Sequence, residues 1–163
     1  MRRVVYLSGN IAGRTYQEAT EARNEAKRLL GVRGWDTLDP MRGKEILSTV
    51  SVIDEKVSKE LLGGITDQAI IQRDFDDVRR SDALLVLSGD RASWGTAFEW
   101  SIAHFLYQKP IVVVASLDSP TRDHPWCKSM ASYFAPTVED AVDFLDRWFD
   151  RGYVLDEAKA GAT

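Results

Sequence analysis

Two short runs, Ala-Leu-Leu-Val-Leu over 83–87 and Ile-Val-Val-Val-Ala over 111–115, constrain this chain most. A strand with one face in water alternates polar and apolar residues, whereas a strand that is apolar throughout must be covered on both faces. Neighbouring segments have the helical spacing to supply that cover. From about 16 to 30, Ala19, Ala22, Ala26, Leu29 and Leu30 share one face, and Gly31 and Gly34 close the segment. Thr66 reads as the N-cap of another helix, with Ile70, Ile71, Phe75 and Val78 on its buried side. A helix is expected over 95–108. A last one opens at Thr137, with Asp140 placed for a capping box, and buries Ala141, Val142, Leu145, Trp148 and Phe149. Val4-Val5-Tyr6-Leu7 is a β-rich run that stops at the turn cluster Ser8-Gly9-Asn10, and residues 35–38 form a second strand before Asp39-Pro40. Residues 41–65 carry Ile46, Val50, Ile53, Val57 and Leu61 at helical spacing, broken by Gly63-Gly64, and 116–130 reads as a long loop.

Strands alternating with helices predict a single-domain α/β fold of the Rossmann or flavodoxin-like kind, a parallel sheet flanked by helices on both faces. The domain is expected over 1–152, with a frayed tail of small and polar residues over 153–163. A chain of 163 residues, 44% of them hydrophobic, is long enough for one such core. The net charge of −4, with acids and bases interspersed, excludes the basic stripe that a nucleic-acid polymer requires. No apolar run approaches the roughly 18–20 residues of a membrane span. Met1-Arg2-Arg3 leads straight into the first strand, without the apolar core of a signal peptide. The single Cys127 excludes an internal disulfide and a cysteine metal cluster, and a cytoplasmic location is expected.

Open parallel sheets bind ligands beyond the carboxyl ends of their strands. That rule selects residues 8–14, residues 88–96 and the loop after 111–115. In the first segment, Ser8-Gly9-Asn10-Ile11-Ala12-Gly13-Arg14, glycines allow close backbone approach and the following helix start favours an anion. The spacing is not that of the GxGxxG dinucleotide fingerprint, and an ordinary strand-to-helix turn explains it equally well. The second segment contains Ser93-Trp94-Gly95-Thr96-Ala97-Phe98-Glu99. Glu99 is placed in the first turn of a helix, where the dipole favours a carboxylate suited to nucleophilic attack. Thr96-x-x-Glu99 also has the spacing of a capping box, a purely structural role. Asp74 supplies a second carboxylate that could protonate a leaving group. Asp76 and Asp77 read instead as a solvated acidic face paired with Arg73, Arg79 and Arg80. His104 lies among apolar residues as a structural histidine, and His124 lacks partners for a metal. Trp126 is suited to stacking on a base, to an oligomer contact or to anchoring its loop.

Three of these segments together resemble the nucleoside 2-deoxyribosyltransferase family, over about residues 4–111. Val-Val-Tyr-Leu-Ser-Gly is similar to the family's first strand, whose tyrosine helps hold the nucleophile; Tyr6 matches it. Gln72-Arg73-Asp74-Phe75 matches the segment that carries the general acid-base aspartate, at Asp74. Ser-Trp-Gly-Thr-Ala-Phe-Glu, followed by Ala103 and Lys109-Pro110, matches the helix of the nucleophile, at Glu99. The resemblance implies a two-step displacement. Glu99 attacks the anomeric carbon as the base departs, and a second base or water then takes the sugar, without metal or organic cofactor. Ser93 departs from the transferase pattern, in which an aspartate contacts the 5′-hydroxyl, and resembles the branch that hydrolyses nucleoside 5′-monophosphates. A hydroxyl donates to a phosphate that a carboxylate would repel.

Gly9 to Arg14 also resembles that branch's first loop, whereas Asp39-Pro40-Met41-Arg42-Gly43-Lys44 looks like bacterial and phage transferase-like members. The expected substrate contacts are Ser8, Gly9, Asn10, Ile11, Gly13, Arg14, Ser93 and Gly95, with Ser129 or Lys128 adding one across a subunit interface as the resemblance implies. Residues 41–65 are expected to border the base pocket, and a homo-oligomer of two or more subunits is implied. A different class, a nucleotide-binding sensor module without chemistry, is disfavoured by the joint presence of Tyr6, Asp74 and Glu99. A flavodoxin-like or NAD-binding domain lacks its phosphate fingerprint.

Overall fold

In the computed structural model, residues 2–87 and 93–150 are described. Five strands form one sheet: β1 (Val4–Ser8), β2 (Asp36–Leu38), β3 (Ala83–Val86), β4 (Ile111–Val114) and β5 (Tyr133–Ala135). All neighbours are parallel, in the spatial order β2-β1-β3-β4-β5. Every residue of β3 is buried, as its apolar run requires. The order reverses direction between β1 and β3. In open parallel sheets such a reversal marks the crevice at the carboxyl ends of the two strands.

Helices cover both faces: α1 (Tyr16–Val32), α2 (Glu55–Leu61), α3 (Asp67–Arg80), α4 (Trp94–Ser101), α5 (Pro125–Met130) and α6 (Val138–Asp150). The pleat of β1 sorts its side chains between them. Val5 and Leu7 enter a core shared with Leu29 and Leu30 of α1 and Leu145 of α6. Tyr6 enters the opposite core with Val78 of α3 and Trp100 of α4, and Ser8, two residues on, shares the Tyr6 face. The α1 start is a reciprocal capping box between Thr15 and Glu18. Thr66 caps α3 through the Ala69 amide, and Thr137 accepts from the Asp140 amide at 3.1 Å, as expected.

Some expectations need correction. The helix expected over 95–108 is regular only to Ser101, and Ile102–Leu106 continues it as a wider, π-type turn. The long loop expected over 116–130 contains a short 3-10 turn, Pro120–Arg122, and the helix α5. Six residues are too few to display a 3.6-residue period, although Pro125 sits at a helix start, where its missing N–H costs nothing. The strand β5 was not expected; its three residues pair on one edge only. Within 41–65 the helical spacing is realised piecemeal, as a 3-10 turn over Glu45–Thr49 and then α2. Ile71 is exposed rather than buried. The tail expected over 153–163 lies outside the described residues. No helix among the described residues is long and apolar enough to cross a membrane.

Asp77 is a further correction. It is buried at 1% exposure, bridged to Arg42 at 2.5 Å and to Arg80 at 2.7 Å, and so ties the β2 loop to α3. Asp76 alone fits a solvated face, facing Arg79 at 3.5 Å. Removing a buried carboxylate while both cations can still reach water should cost about 2 kcal/mol. Asp77→Ala is therefore expected to lower the unfolding free energy by that amount in urea titration; an unchanged midpoint would show the cluster to be ornamental.

Candidate active site

The carboxyl edge of β1 meets α4 at Glu99. The Tyr6 hydroxyl donates to Glu99 Oε1 at 2.6 Å, and the Ser8 hydroxyl donates to Oε2. Both donors come from one face of one strand, so each carboxylate oxygen receives its own hydroxyl. Ser8 was expected to contact substrate; the structure places it behind the carboxyl group, as a holder of Glu99. Its signal in the sequence was the spacing of two from Tyr6.

The capping role considered for Glu99 is not what the structure contains. The N-cap of α4 is Ser93, whose hydroxyl accepts from the Thr96 amide at 3.2 Å. Helix α4 thus begins one turn earlier than a Thr96 cap would require, and Glu99 sits beyond its first turn. The free N–H groups of the helix start do not hold its charge, which corrects the expected source of ionisation. Burial dominates instead and pushes the Glu99 carboxyl up to about 7. The Ser8 and Tyr6 hydroxyls and the Arg23 charge oppose that rise, while Asp74 adds to it. Burial, then the Glu99 and Asp74 charges, holds the Tyr6 hydroxyl well above its ordinary value, so tyrosine remains a donor.

Glu99 opens into a cavity of about 550 Å³, a size that suits a nucleoside. Its lining includes Gly9, Asn10, Ile11, Asp74, Ser93 and Gly95, all expected from sequence. The region expected to border the pocket contributes Lys44, Leu47, Ile53, Ser58 and Leu62, joined by Pro40, Asp67, Ile70 and Ile71. Exposure of Ile71 follows from this position at the rim. Arg23 was not foreseen. Buried within α1, it donates to the Gly9 carbonyl at 2.8 Å and fixes the turn that frames the cavity.

Gly13, Arg14 and Ser129 do not line this cavity. Gly13 adopts a positive φ of 78° and donates to the Ile53 carbonyl at 2.9 Å, pinning the first loop to the segment before α2. Arg14 faces a separate depression with Glu18, Glu21 and Glu25 of α1 and with Glu139. Ser129 donates to the Trp126 carbonyl within α5 at 3.0 Å.

Asp74 reaches the cavity from α3. Arg73 Nε and Nη2 approach one of its oxygens, Oδ1, at 3.2 and 3.0 Å, and Arg73 also donates to the Pro40 carbonyl at 3.1 Å. Burial raises the Asp74 carboxyl above the usual carboxylate range, against the pull of Arg73 and Lys44. Two carboxyl groups in one cavity, both raised by burial, can share roles as nucleophile and proton donor. Among the described residues, no group of three or more His, Cys, Asp or Glu side chains could hold a metal.

The sheet is parallel throughout and carries a hydroxyl-held carboxyl group at its switch point. Solved structures share the fold. They include the molybdenum cofactor carrier protein of Chlamydomonas reinhardtii, 17% identical over 90% of this chain and 98% of that one, with a TM-score of 0.60. The molybdenum cofactor binding protein of Rippkaea orientalis is 15% identical over 90% of this chain and 96% of that one, with a TM-score of 0.58. The CMP N-glycosidase BcmB of Clostridium botulinum is 14% identical over 88% and 98%, with a TM-score of 0.55. At such identities the likeness establishes the fold, one used both by a nucleotide N-glycosidase and by cofactor carriers. No family model matches the sequence, and no curated protein does.

A carboxyl that binds its proton more tightly when folded loses stability as pH rises from its ordinary value, 4.5, through about 7. That rise corresponds to about 3 kcal/mol. Glu99→Gln, which cannot ionise, is expected to gain about that much relative to wild type between roughly pH 4 and pH 8, measured by urea unfolding at each end. A difference independent of pH would contradict the burial described.

Proposed function

We infer that this protein cleaves the N-glycosidic bond of a nucleoside, 2′-deoxynucleoside or the corresponding 5′-monophosphate through a covalent glycosyl-Glu99 intermediate. The observation that carries this reading is the Tyr6–Glu99–Ser8 arrangement beside Asp74 in one nucleoside-sized cavity. A site that only binds has no need of a buried carboxyl group with a donor on each oxygen. The two hydroxyls aim the carboxylate and stabilise its ionised form, and the remaining lone pairs are free to attack. One Glu99 oxygen bonds to the anomeric carbon while the carbon–nitrogen bond breaks. The electron pair leaves with the base, and Asp74 supplies the proton. The sugar then passes to a second base or to water, and neither step calls for a metal or organic cofactor. Ser93 lines the cavity at the start of α4, and this supports assigning the 5′-phosphate contact to that helix start. A nucleotide N-glycosidase with this fold is consistent with that substrate class.

The competing reading is a carrier or sensor that binds without chemistry. It draws on the fold shared with cofactor carriers and on Arg73, which favours the ionised form of Asp74. Free-base release from a panel of nucleosides and 5′-monophosphates, with and without a second base, separates the two. Wild type is expected to release base, Glu99→Gln to lose at least about a thousandfold and Asp74→Asn about a hundredfold, the range of a lost nucleophile and a lost proton donor. Binding without any turnover would favour the carrier.

A homo-oligomer is proposed on the exposed apolar face of α4. Trp94 and Phe98, one turn apart, and Phe105 beyond them are all exposed, and a patch of this kind is suited to a second copy. Sedimentation is expected to give a dimer or larger for wild type and a smaller species for Phe98→Asp. A monomeric wild type would end the proposal.

A further inference from the structure

The cavity contains a cation that the mechanism above does not use. Lys44 closes the turn after Asp39-Pro40, where its amide donates to the Met41 carbonyl at 3.1 Å. The residue is only 9% exposed, yet it lines the cavity with Glu99 and Asp74. Its ammonium group has no hydrogen-bond or ion-pair partner among the described residues. Other cations near the cavity, the buried Arg23 and the half-buried Arg73, are compensated. Arg23 faces Asp39 at 3.4 Å, and Arg73 is held by Asp74. An ammonium group largely withdrawn from water, with carboxylates near but none in contact, is suited to a partner that a ligand supplies in the cavity.

The position identifies what that partner is. Lys44 feels the charges of Arg73, Asp74 and Asp39, so it lies on the Asp74 side of the cavity. Arg73 joins the two elements by holding both Asp74 and the Pro40 carbonyl. Under the glycosidase reading, Asp74 faces the departing base. When the carbon–nitrogen bond breaks, its electron pair moves into the base and spreads over the ring nitrogens and any conjugated carbonyl oxygen. A three-donor ammonium group suits that oxygen better than it suits an amino group. Burial and Arg73 lower the ammonium pKa, which sharpens its capacity to donate.

We propose that Lys44 receives the negative charge of the departing base, selecting nucleosides whose base carries a carbonyl oxygen conjugated with the glycosidic nitrogen. The proposal rests on the glycosidase reading. No proton need move from Lys44: Glu99 forms the bond to carbon, the base takes the electron pair, Asp74 supplies the proton, and the ammonium group hydrogen-bonds the oxygen throughout.

The test uses Lys44→Met and Lys44→Arg in the full chain, with 2′-deoxyuridines substituted at C5 by fluorine, hydrogen or methyl. These leave as progressively less acidic bases. Lys44→Met is expected to lose about tenfold in kcat on the fluoro substrate and about a hundredfold or more on the methyl one, and Lys44→Arg to recover most of either loss. A structural role would depress all three equally, and that outcome would overturn the proposal while leaving the glycosidase reading intact. Loss confined to 5′-monophosphates would also overturn it, by assigning Lys44 to the phosphate. Equilibrium binding provides a readout without turnover, using 5-nitrouracil, an anion near neutral pH, against neutral uracil. Wild type is expected to prefer the anion by about tenfold, and Lys44→Met to erase that preference. If wild type released no base at all, the glycosidase reading would fall and the leaving-group role with it, whatever the binding showed. If release were intact and the anion preference survived in Lys44→Met, only the Lys44 assignment would fall.

Discussion

A carboxyl group placed at the carboxyl edge of a buried parallel sheet is tolerated only where donors meet it, because charge removed from water carries a large desolvation cost. In this protein the donors are the hydroxyls of Tyr6 and Ser8, both on the same face of the innermost strand pair. Much else follows from that requirement. Strand β1 must be internal to the sheet, so that Tyr6 lies at zero exposure in the core with Val78 of α3 and Trp100 of α4. Helix α4 must begin at Ser93, so that Glu99 emerges one turn deeper than the helix start. The result is a carboxyl group near neutral pKa that can exchange its proton within the physiological range.

Around this centre the loops are held by polar ties as well as by a small apolar cluster of Ala19, Met41, Leu47 and Ile53 with Ile11 and Tyr16. Arg23 fixes the Gly9 carbonyl, Gly13 fixes Ile53, Arg73 fixes Pro40, and Asp77 gathers Arg42 and Arg80. Hydrogen bonds to charged groups are directional and hold geometry better than apolar contacts do. The cavity is thus tied on its β1 and α3 sides, while residues 44–62 reach it from short, separate elements. That asymmetry suits a ligand whose reacting atom is fixed and whose other end varies.

The three segments read from the sequence come together at the cavity, and the reason is local. Strand ends and helix starts are short-range features, so Tyr6, Asp74, Ser93 and Glu99 were legible in place. Gly13, Arg14 and Ser129 were selected by proximity in sequence to a binding loop, but their direction was set by contacts distant in the chain. The side chain of Arg14 faces α6, and Gly13 turns to reach Ile53. Asp77 looked solvated because it stands in a charged helix segment, yet Arg42 and Arg80 cover it. Lys44 lay in a segment expected to border the pocket, but its lack of a contacting partner was not legible, since an unpaired lysine differs from a solvated one only in what surrounds it.

The sequence by itself determined that two apolar strands need cover on both faces, and hence a parallel α/β sheet with ligand loops at one edge. It also determined the periodicity of two that puts Tyr6 beside Ser8, and the order in which the carboxylates occur. The tertiary structure alone decided where α4 starts, and therefore that Glu99 is a hydroxyl-held group and not a helix cap. It alone decided which charges are buried and which of them lack partners. Secondary structure responds to residues a few positions apart, whereas desolvation depends on every element that packs against a charge, wherever that element lies in the chain.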